Sequence, residues 1–473
     1  MTYDALPHRF AGRTAISDIR AAHEQLEAGA ESGVSYRLAG RIMARRGQGK
    51  LVFLDLEDRS GRLQLLAALD VLGEEALARV ADVSLGDVVG IEGEAIRTRR
   101  GELSLRVTSW ELLAPNRQPL PDTWHGLSDV EVRYRQRYLD LLMSPESREL
   151  FAVRSRSVSA FRRFLDGRGF LEVETPVLQP IYGGALARPF TTHHNELGRD
   201  LYLRIATELY LKRLIVGGLE KVYELGKDFR NEGVSYKHNP EFTMLETYEA
   251  YADYEDVMRM TEEMVAHVAQ EALGTTEIEW KGQTIDLKPP WRRLPLGGAL
   301  AEQLGFDPFA GDRDEPALRT ALEEKGLETG GDKTWAALVD HALSHFIEPH
   351  LIEPTFLIDY PVELSPLSRQ MPGNPSLTER FEAFCGGMEI GNGYSELNDP
   401  DEQHARFEEQ AQMGRAGDAD AHPIDDDYVN ALAYGMPPTG GLGVGIDRVV
   451  MLLTGTASIR EVVLFPAMRD RRP

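Results

Sequence analysis

Residues 221–254 read KVYELGKDFRNEGVSYKHNPEFTMLETYEAYADY. Two strand-like runs flank a polar loop that extends from about Asn231 to Pro240. Period two places Phe242, Met244, Glu246 and Tyr248 on one face of the second run. Arg230 stands where the first run meets the loop. An arginine, an aromatic ring, a carboxylate and a phenol turned to one side make a poor core, because buried charges must be paired or cost several kcal/mol. Two uses remain for them: an ion pair between Arg230 and Glu246 that only holds the strands, or a cleft that takes a charged ligand.

Two further stretches carry chemistry. ERFEAFCGGMEIGNGYSELND, residues 379–399, has carboxylates at Glu379, Glu382, Glu389, Glu396 and Asp399. Asn392, Tyr394 and Glu396 share one face at period two. Glu382 and Glu389 are seven residues apart, so one flat strand would split them between faces. A bend or bulge near Gly386-Gly387, or two separate elements, is needed to bring them together. GGLGVGIDRVVMLLTG, residues 440–455, leads four glycines (440, 441, 443 and 445) into a helix expected to begin near Ile446. The dinucleotide fingerprint G-x-G-x-x-G fails here, since its last position is Ile446.

Together these stretches resemble the three motifs of class II aminoacyl-tRNA synthetases, in the form found in lysyl-tRNA synthetases. Motif 2 is matched by Phe229-Arg230-Asn231-Glu232-Gly233 and by His238-Asn239-Pro240-Glu241-Phe242-Thr243-Met244. Motif 3 is matched by the glycine run with Gly445-Ile446-Asp447-Arg448. Motif 1, the dimer-forming strand of the family, is matched by FLEVETPVL with Pro176. GGALARPFTTHHN and YLRIATELYLKRL match amino-acid pocket segments.

The resemblance implies roles residue by residue. Arg230 and Arg448 are the catalytic cations: Arg230 for the α-phosphate and the lysine carboxylate, Arg448 over adenine and the γ-phosphate. Glu232, His238, Asn239 and Glu382 join them at ATP, and Phe242 stacks on adenine. Glu382 and Glu389 bind Mg²⁺, whose preference for hard oxygen ligands they suit. Gly184, Glu208, Glu246, Tyr248, Asn392, Tyr394 and Glu396 form the lysine pocket. Gly184 and Glu208 take the α-amino group, and Glu396 with Tyr248 takes the ε-ammonium. Many members have proline where Thr207 stands, a change expected to matter little because the side chain need not face the cleft.

Residues 1–30 read as a short helical lead-in. Residues 31–114 read as all-β with one helical interval (EEALARVAD), and turns fall at Gly47, Gly49 and Asp58-Arg59-Ser60-Gly61. Five strands and a helix in that length fit a small Greek-key barrel of the OB type, a fold that commonly binds single-stranded nucleic acid. The resemblance extends here as an anticodon-binding domain, with Phe53, Gln64 and Glu102 at or near positions that read the anticodon. Residues 115–126 are a proline-rich linker. Residues 127–473 form one α+β catalytic domain, an antiparallel sheet flanked by helices, with a helical insertion at about 255–355. In its first helix Val158, Phe161 and Leu165 share one face, and Gly167 and Gly169 end it.

The net charge of −24 argues against a general nucleic-acid binder, and basic clusters at Arg41, Arg45, Arg46 and Lys50 and at Arg97, Arg99, Arg100 and Arg106 are the local exceptions. The single cysteine, Cys385, excludes an intramolecular disulfide and a cysteine-cluster zinc site. No run approaches the roughly 18 apolar residues of a membrane helix, and MTYDALPHRFAGR lacks a signal-peptide core, so a cytoplasmic location is expected. There is no P-loop and neither signature of class I synthetases. An aspartyl- or asparaginyl-type pocket should offer a cation where Glu208, Glu246 and Glu396 stand. Enzymes of this kind that lysylate a protein lack the N-terminal barrel, and retention of Arg230, Glu382, Glu389 and Arg448 argues against a silent paralogue. The expected partners are tRNA(Lys), L-lysine, ATP and a second copy of the chain, with no membrane.

Overall fold

The computed structural model describes residues 6–47, 49–121, 127, 129–185, 187–311, 313–332, 334–415 and 424–470. The chain divides into two compact units, Met1–Ser128 and Asp129–Pro473. Residues 122–126 of the expected linker lie outside the described residues.

In the first unit β1 (Glu31–Arg46), β2 (Leu51–Asp58), β3 (Gly61–Ala68), β4 (Val88–Arg97) and β5 (Leu103–Ala114) close into a barrel in the order β1-β2-β3-β5-β4. The β3–β5 pair is parallel and the others antiparallel. Closure leaves no free sheet edge. Alternate residues, including Leu54, Leu56, Leu63, Leu65, Ile91 and Leu105, fill the interior. The lead-in does more than precede the barrel. Its helix Ile16–Ala22 sinks Ile16 and Ile19 into the barrel core, at roughly 1.5–3 kcal/mol for each buried side chain. Asp58 ties it down: Oδ2 accepts from the Ile16 N–H at 3.0 Å, and Oδ1 accepts from Ser60 and Gly61 of the turn.

In the second unit two small pieces come first in the chain: β6 (Leu171–Glu172), and β7 (Leu178–Gln179), β8 (Thr191–His194) and β9 (Arg199–Leu203), of which the last three form a sheet of their own. Then follow β10 (Lys221–Phe229), β11 (Glu241–Ala250), the hairpin β12 (Glu277–Trp280) and β13 (Gln283–Asp286), β14 (Arg292–Pro295), β15 (Thr355–Pro361), β16 (Gln370–Met371), β17 (Asn374–Cys385), β18 (Met388–Ser395) and β19 (Thr439–Gly445). The large sheet runs β14-β15-β17-β18-β19-β11-β10-β6, with β16 on β17. It is antiparallel except where β14 meets β15 and β6 meets β10.

One face of this sheet is the main core. Tyr223, Leu245, Phe381, Ala383, Leu442 and Val444 pack there against the helices Pro145–Asp166, Tyr254–Leu273 and Ile446–Thr454. In the first of these helices Phe161 and Leu165 are buried as expected, and Val158 packs partly buried beside them. Ser144 caps its start by accepting from the Ser147 N–H at 3.0 Å. The stretch 255–355 is not helical throughout. The long helix from Tyr254 belongs to the main core, three strands intervene, and β14 extends the large sheet. The helices Leu296–Leu304, Glu315–Glu324 and Trp335–Ala342 build a second core with Leu357, Tyr360 and Phe384. A third cluster, around Leu211, Tyr248, Phe407 and Tyr428, closes the opposite flank. The middle of the outer sheet face stays open between the two.

Candidate active site

Strand register decides what lines the open face. In an antiparallel pair directly opposed residues share a face. Glu246 of β11 pairs with Gly443 of β19, Gly443 with Asn392 of β18, and Asn392 with Glu382 of β17. One step along, Tyr248 pairs with Gly441, Gly441 with Tyr394, and Tyr394 with Arg380. Polar rows thus flank a strand whose open face is glycine at 441, 443 and 445, leaving a trough two strand spacings wide, roughly 10 Å. A Cβ on Gly441 would overlap the Glu396 carboxylate and reach 2.7 Å from Tyr248 Cε1, so only glycine fits. The trough is the floor of a cavity of about 1020 Å³. Of the residues singled out for ATP, lysine and magnesium, all line it.

Glu382 and Glu389 come together as parts of separate strands. Gly386 and Gly387, at φ +64° and +74°, turn β17 into β18, and a register shift after Ala383 carries Glu389 opposite Phe384. Left-handed residues at both positions of a two-residue hairpin call for glycine. Glu382 accepts from Arg380 at 2.7 Å, and burial with the charge of Glu389 pushes its carboxyl up to about 7. Glu389 accepts from Arg448 at 3.0 Å.

Arg230 has no ion pair with Glu246. Among the described residues its Nε is buried without a hydrogen-bond partner, and the guanidinium sits 5.1 Å from the centre of the Phe242 ring. Glu246 is held elsewhere: Oε1 accepts from the Thr207 N–H at 3.1 Å, and Oε2 from the Tyr248 hydroxyl at 3.2 Å. The residue at 207 therefore matters through its main chain, since proline has no N–H to donate. Burial, then the charges of Asp228 and Glu208, push Glu246 up to about 8, and the Thr207 N–H opposes them.

Glu208 Oε1 accepts from Lys212 Nζ at 2.6 Å and from the Tyr394 hydroxyl at 2.8 Å. Its Oε2 is turned toward Gly184, where a methyl would lie 3.0 Å from Ala206 Cβ and 3.1 Å from Glu208 Cβ. Glu396 is buried against Lys212. Asn392 accepts from Arg380 Nε at 3.0 Å. His238 faces Arg448 across 3.5 Å, and burial with the Arg448 charge lowers it to about 4, so it is neutral at pH 7. Glu232 is exposed at the rim. Asn239 is committed on both sides of its amide, to the Glu241 oxygen and the Ala467 N–H, so it anchors the loop on which His238 sits.

Three residues of the site escaped the sequence reading. Arg380 bonds Glu382, Asn392 and the Leu364 oxygen. Asp447 accepts from the Thr243 N–H at 2.8 Å and pairs with Arg154 at 2.6 Å, which seats the helix of Arg448 against β11. Lys212 is buried under Glu208; its i, i+4 spacing from Glu208 was the available signal.

In the barrel unit Phe53 and Gln64 lie half-buried on adjacent strands, with Asp55 opposite Gln64 and Leu66 opposite Phe53. Gln64 donates to Ser104 Oγ at 2.8 Å, and Glu102 is exposed at the turn just before Ser104. Much of the basic cluster is already engaged: Arg41, Arg45 and Arg97 donate to main-chain oxygens, Arg46 pairs with Asp55, and Arg106 with Glu31 and Glu94. Lys50, Arg99 and Arg100 are exposed.

Comparison with known proteins matches residues 129–469 to the family of class II tRNA synthetases (D, K and N), and residues 36–113 to the OB-fold nucleic acid binding domain. A lysine–tRNA ligase of Pelotomaculum thermopropionicum is 54 % identical over 92 % of this chain and 86 % of its own. That of Carboxydothermus hydrogenoformans is 53 % identical over 92 % of this chain and 89 % of its own. That of Thermoanaerobacter pseudethanolicus is 50 % identical over 98 % and 92 %.

Proposed function

The chain belongs to the class II tRNA synthetases of the D, K and N type, and we infer that its reaction is lysine–tRNA ligation. It activates L-lysine with ATP to lysyl-adenylate, then passes lysine to the 3′ end of tRNA(Lys), releasing pyrophosphate and AMP. The observation that carries the choice of lysine is the set of three buried carboxylates, Glu208, Glu246 and Glu396, lining one cavity with an arginine, Arg230, that has no ion-pair partner among the described residues. A diamino acid has two cations for such acids and one carboxylate for such an arginine.

Activation is in-line attack of the lysine carboxylate on the α-phosphorus. The attacking group is already an anion, so no base is needed; the protein must hold two anions together and offset the growing charge. Arg230 presents its fork of donors to the α-phosphate and the lysine carboxylate, and Arg448 meets the γ-phosphate. Phe242 stacks on adenine, with Glu232 and His238 at the nucleotide and Asn239 fixing their loop. Glu208 Oε2 with Gly184 takes the α-ammonium. Glu396 and Tyr248 take the ε-ammonium, and Glu246 orients Tyr248. Asn392 and Tyr394 wall the pocket between them.

Glu382 and Glu389 would hold magnesium. They are hard oxygen donors on one hairpin at one cavity, and this ion often takes only one or two carboxylates besides substrate phosphates. Bound there, magnesium supplies positive charge to the phosphates. Phe53, Gln64 and Glu102 would read the anticodon. The motif 1 stretch leaves Leu171, Val177 and Leu178 exposed on a single chain, with Ile181 just beyond it, which supports a homodimer; sedimentation as a monomer at micromolar concentration would refute it. No helix among the described residues is long and apolar enough to cross a membrane, in keeping with a cytoplasmic enzyme.

The test is ATP–pyrophosphate exchange with each of the twenty amino acids, then charging of tRNA with the best. Exchange with lysine followed by tRNA charging is expected. Lysine exchange without charging moves the function to another acceptor; no exchange with any amino acid overturns the reading.

A further inference from the structure

The helix Glu208–Val216 carries Glu208 at the pocket wall and Lys212 one turn on, behind it. Lys212 is fully buried. Its Nζ donates to Glu208 Oε1 at 2.6 Å and contacts Glu396 Oε2. The rings of Tyr394 and Tyr428 stand 5.6 and 6.0 Å from it. An ammonium just behind the wall of a pocket for ammonium groups repels the ligand, and burying it costs several kcal/mol before its partners repay that. A purely structural role would be served as well by an apolar side chain with fewer acids around it.

Charge arithmetic explains its presence. Glu208, Glu246 and Glu396 can bring three negative charges. Lysine brings two ammonium groups to them, while its carboxylate turns to Arg230. One negative charge is left over, and among the described residues Lys212 is the one further cation that pairs with this acid set.

We propose that Lys212 is a specificity-determining positioning residue, whose ammonium bridges Glu208 and Glu396 so that, once all three acids are ionised around bound lysine, they keep two net negative charges, one for each substrate ammonium. The bridge also orients both acids. It occupies Glu208 Oε1 and Glu396 Oε2, leaving Glu208 Oε2 toward Gly184 and Glu396 Oε1 toward the glycine floor at Gly441. The inference rests on the lysine-activation reading above.

Every element around Glu396 bears on its charge. Burial pushes its carboxyl well above the usual range, Glu208 and Glu246 push it further, and Lys212 pulls it back. Burial also works against the charge on Lys212, but Glu208 and Glu396 outweigh it and hold the ammonium above its usual range. Tyr248, Tyr394 and Tyr428 are pushed upward by burial and by the same acids, with Lys212 opposing this at Tyr428; they stay neutral at pH 7.

The experiment uses the full chain and the exchange assay. In Lys212→Met, the KM for lysine at pH 7 should rise about tenfold or more, and its fall with pH should move to higher pH, because Glu396 then ionises only at higher pH. The KM for ATP should stay within about threefold, as no ATP contact changes. A Lys212→Met enzyme with the wild-type lysine KM and pH profile overturns the proposal. Absence of lysine-dependent exchange in the wild type would instead defeat the lysine reading itself. Should the variant not fold, calorimetry of the wild type decides. Lysine binding at pH 7, followed in buffers of different ionisation enthalpy, should release at most about one proton, that of Glu246. Release of two means that Glu396 is neutral despite Lys212, and the proposal fails.

Discussion

Arg448 donates from Nη1 to two oxygens of Glu389, the carboxylate Oε2 at 3.0 Å and the main-chain oxygen at 2.7 Å. On the roles proposed above, a cation for phosphate and a carboxylate for magnesium are here each other's partner. Glu389→Gln should therefore raise the magnesium concentration needed for half-maximal exchange by at least the roughly tenfold that loss of outer-shell groups costs metal sites. A titration with unchanged midpoint would remove Glu389 from the metal site.

Arg230 has no ion-pair partner among the described residues; it favours the charge on buried Asp228, but Arg204 pairs with that acid and remains when Arg230 is removed. Arg230→Ala should slow adenylate formation by about 10²–10³-fold, the usual loss for a donor aimed at developing charge. Single-turnover measurement of the adenylate tests this, and a near-normal yield would take Arg230 off the catalytic list.

Glu396→Gln keeps the shape of the pocket and removes one charge. Lysine-dependent exchange should be lost while ATP binding persists, because the ε-ammonium then has no anionic partner; a buried polar mismatch is worth about 10⁴–10⁵ in discrimination. Exchange at the wild-type lysine KM would refute the pocket assignment.

The pH dependence follows from Glu246, whose carboxyl is pushed up to about 8. Below that value it is neutral and attracts an ammonium poorly; above it the carboxylate is charged. The KM for lysine should fall as pH rises from about 6.5 to about 8.5, with the substrate's amines still protonated over most of that range. A lysine KM that stays flat over this interval contradicts the assignment.

Phe53 presents a half-exposed ring on the barrel beside Gln64. Phe53→Ala should raise the KM for tRNA by about 5- to 150-fold, the worth of one base stacked on an aromatic ring. Exchange in the absence of tRNA should be untouched. Equal charging efficiency of both enzymes would place anticodon contact elsewhere.

Local rules made the strands and their faces legible. Period two put Phe242, Met244, Glu246 and Tyr248 on one side, and all four line the cavity. The barrel strands and the helix of Phe161 and Leu165 were readable for the same reason: alternation and amphipathicity are written over a few consecutive residues. The motif residues themselves identify the family from the sequence alone.

Tertiary structure decided what each charge faces. Glu382 and Glu389 meet through a hairpin and a register shift, not through their spacing. Arg230 and Glu246, neighbours on paper, take different partners. The main-chain N–H of Thr207 reaches Glu246 across 39 residues, and Lys212 closes on Glu396, which comes from another part of the chain. Whether a carboxylate is paired, repelled or open to substrate depends on burial and on groups far away in sequence, which only the packed sheet and helices bring within a few ångströms.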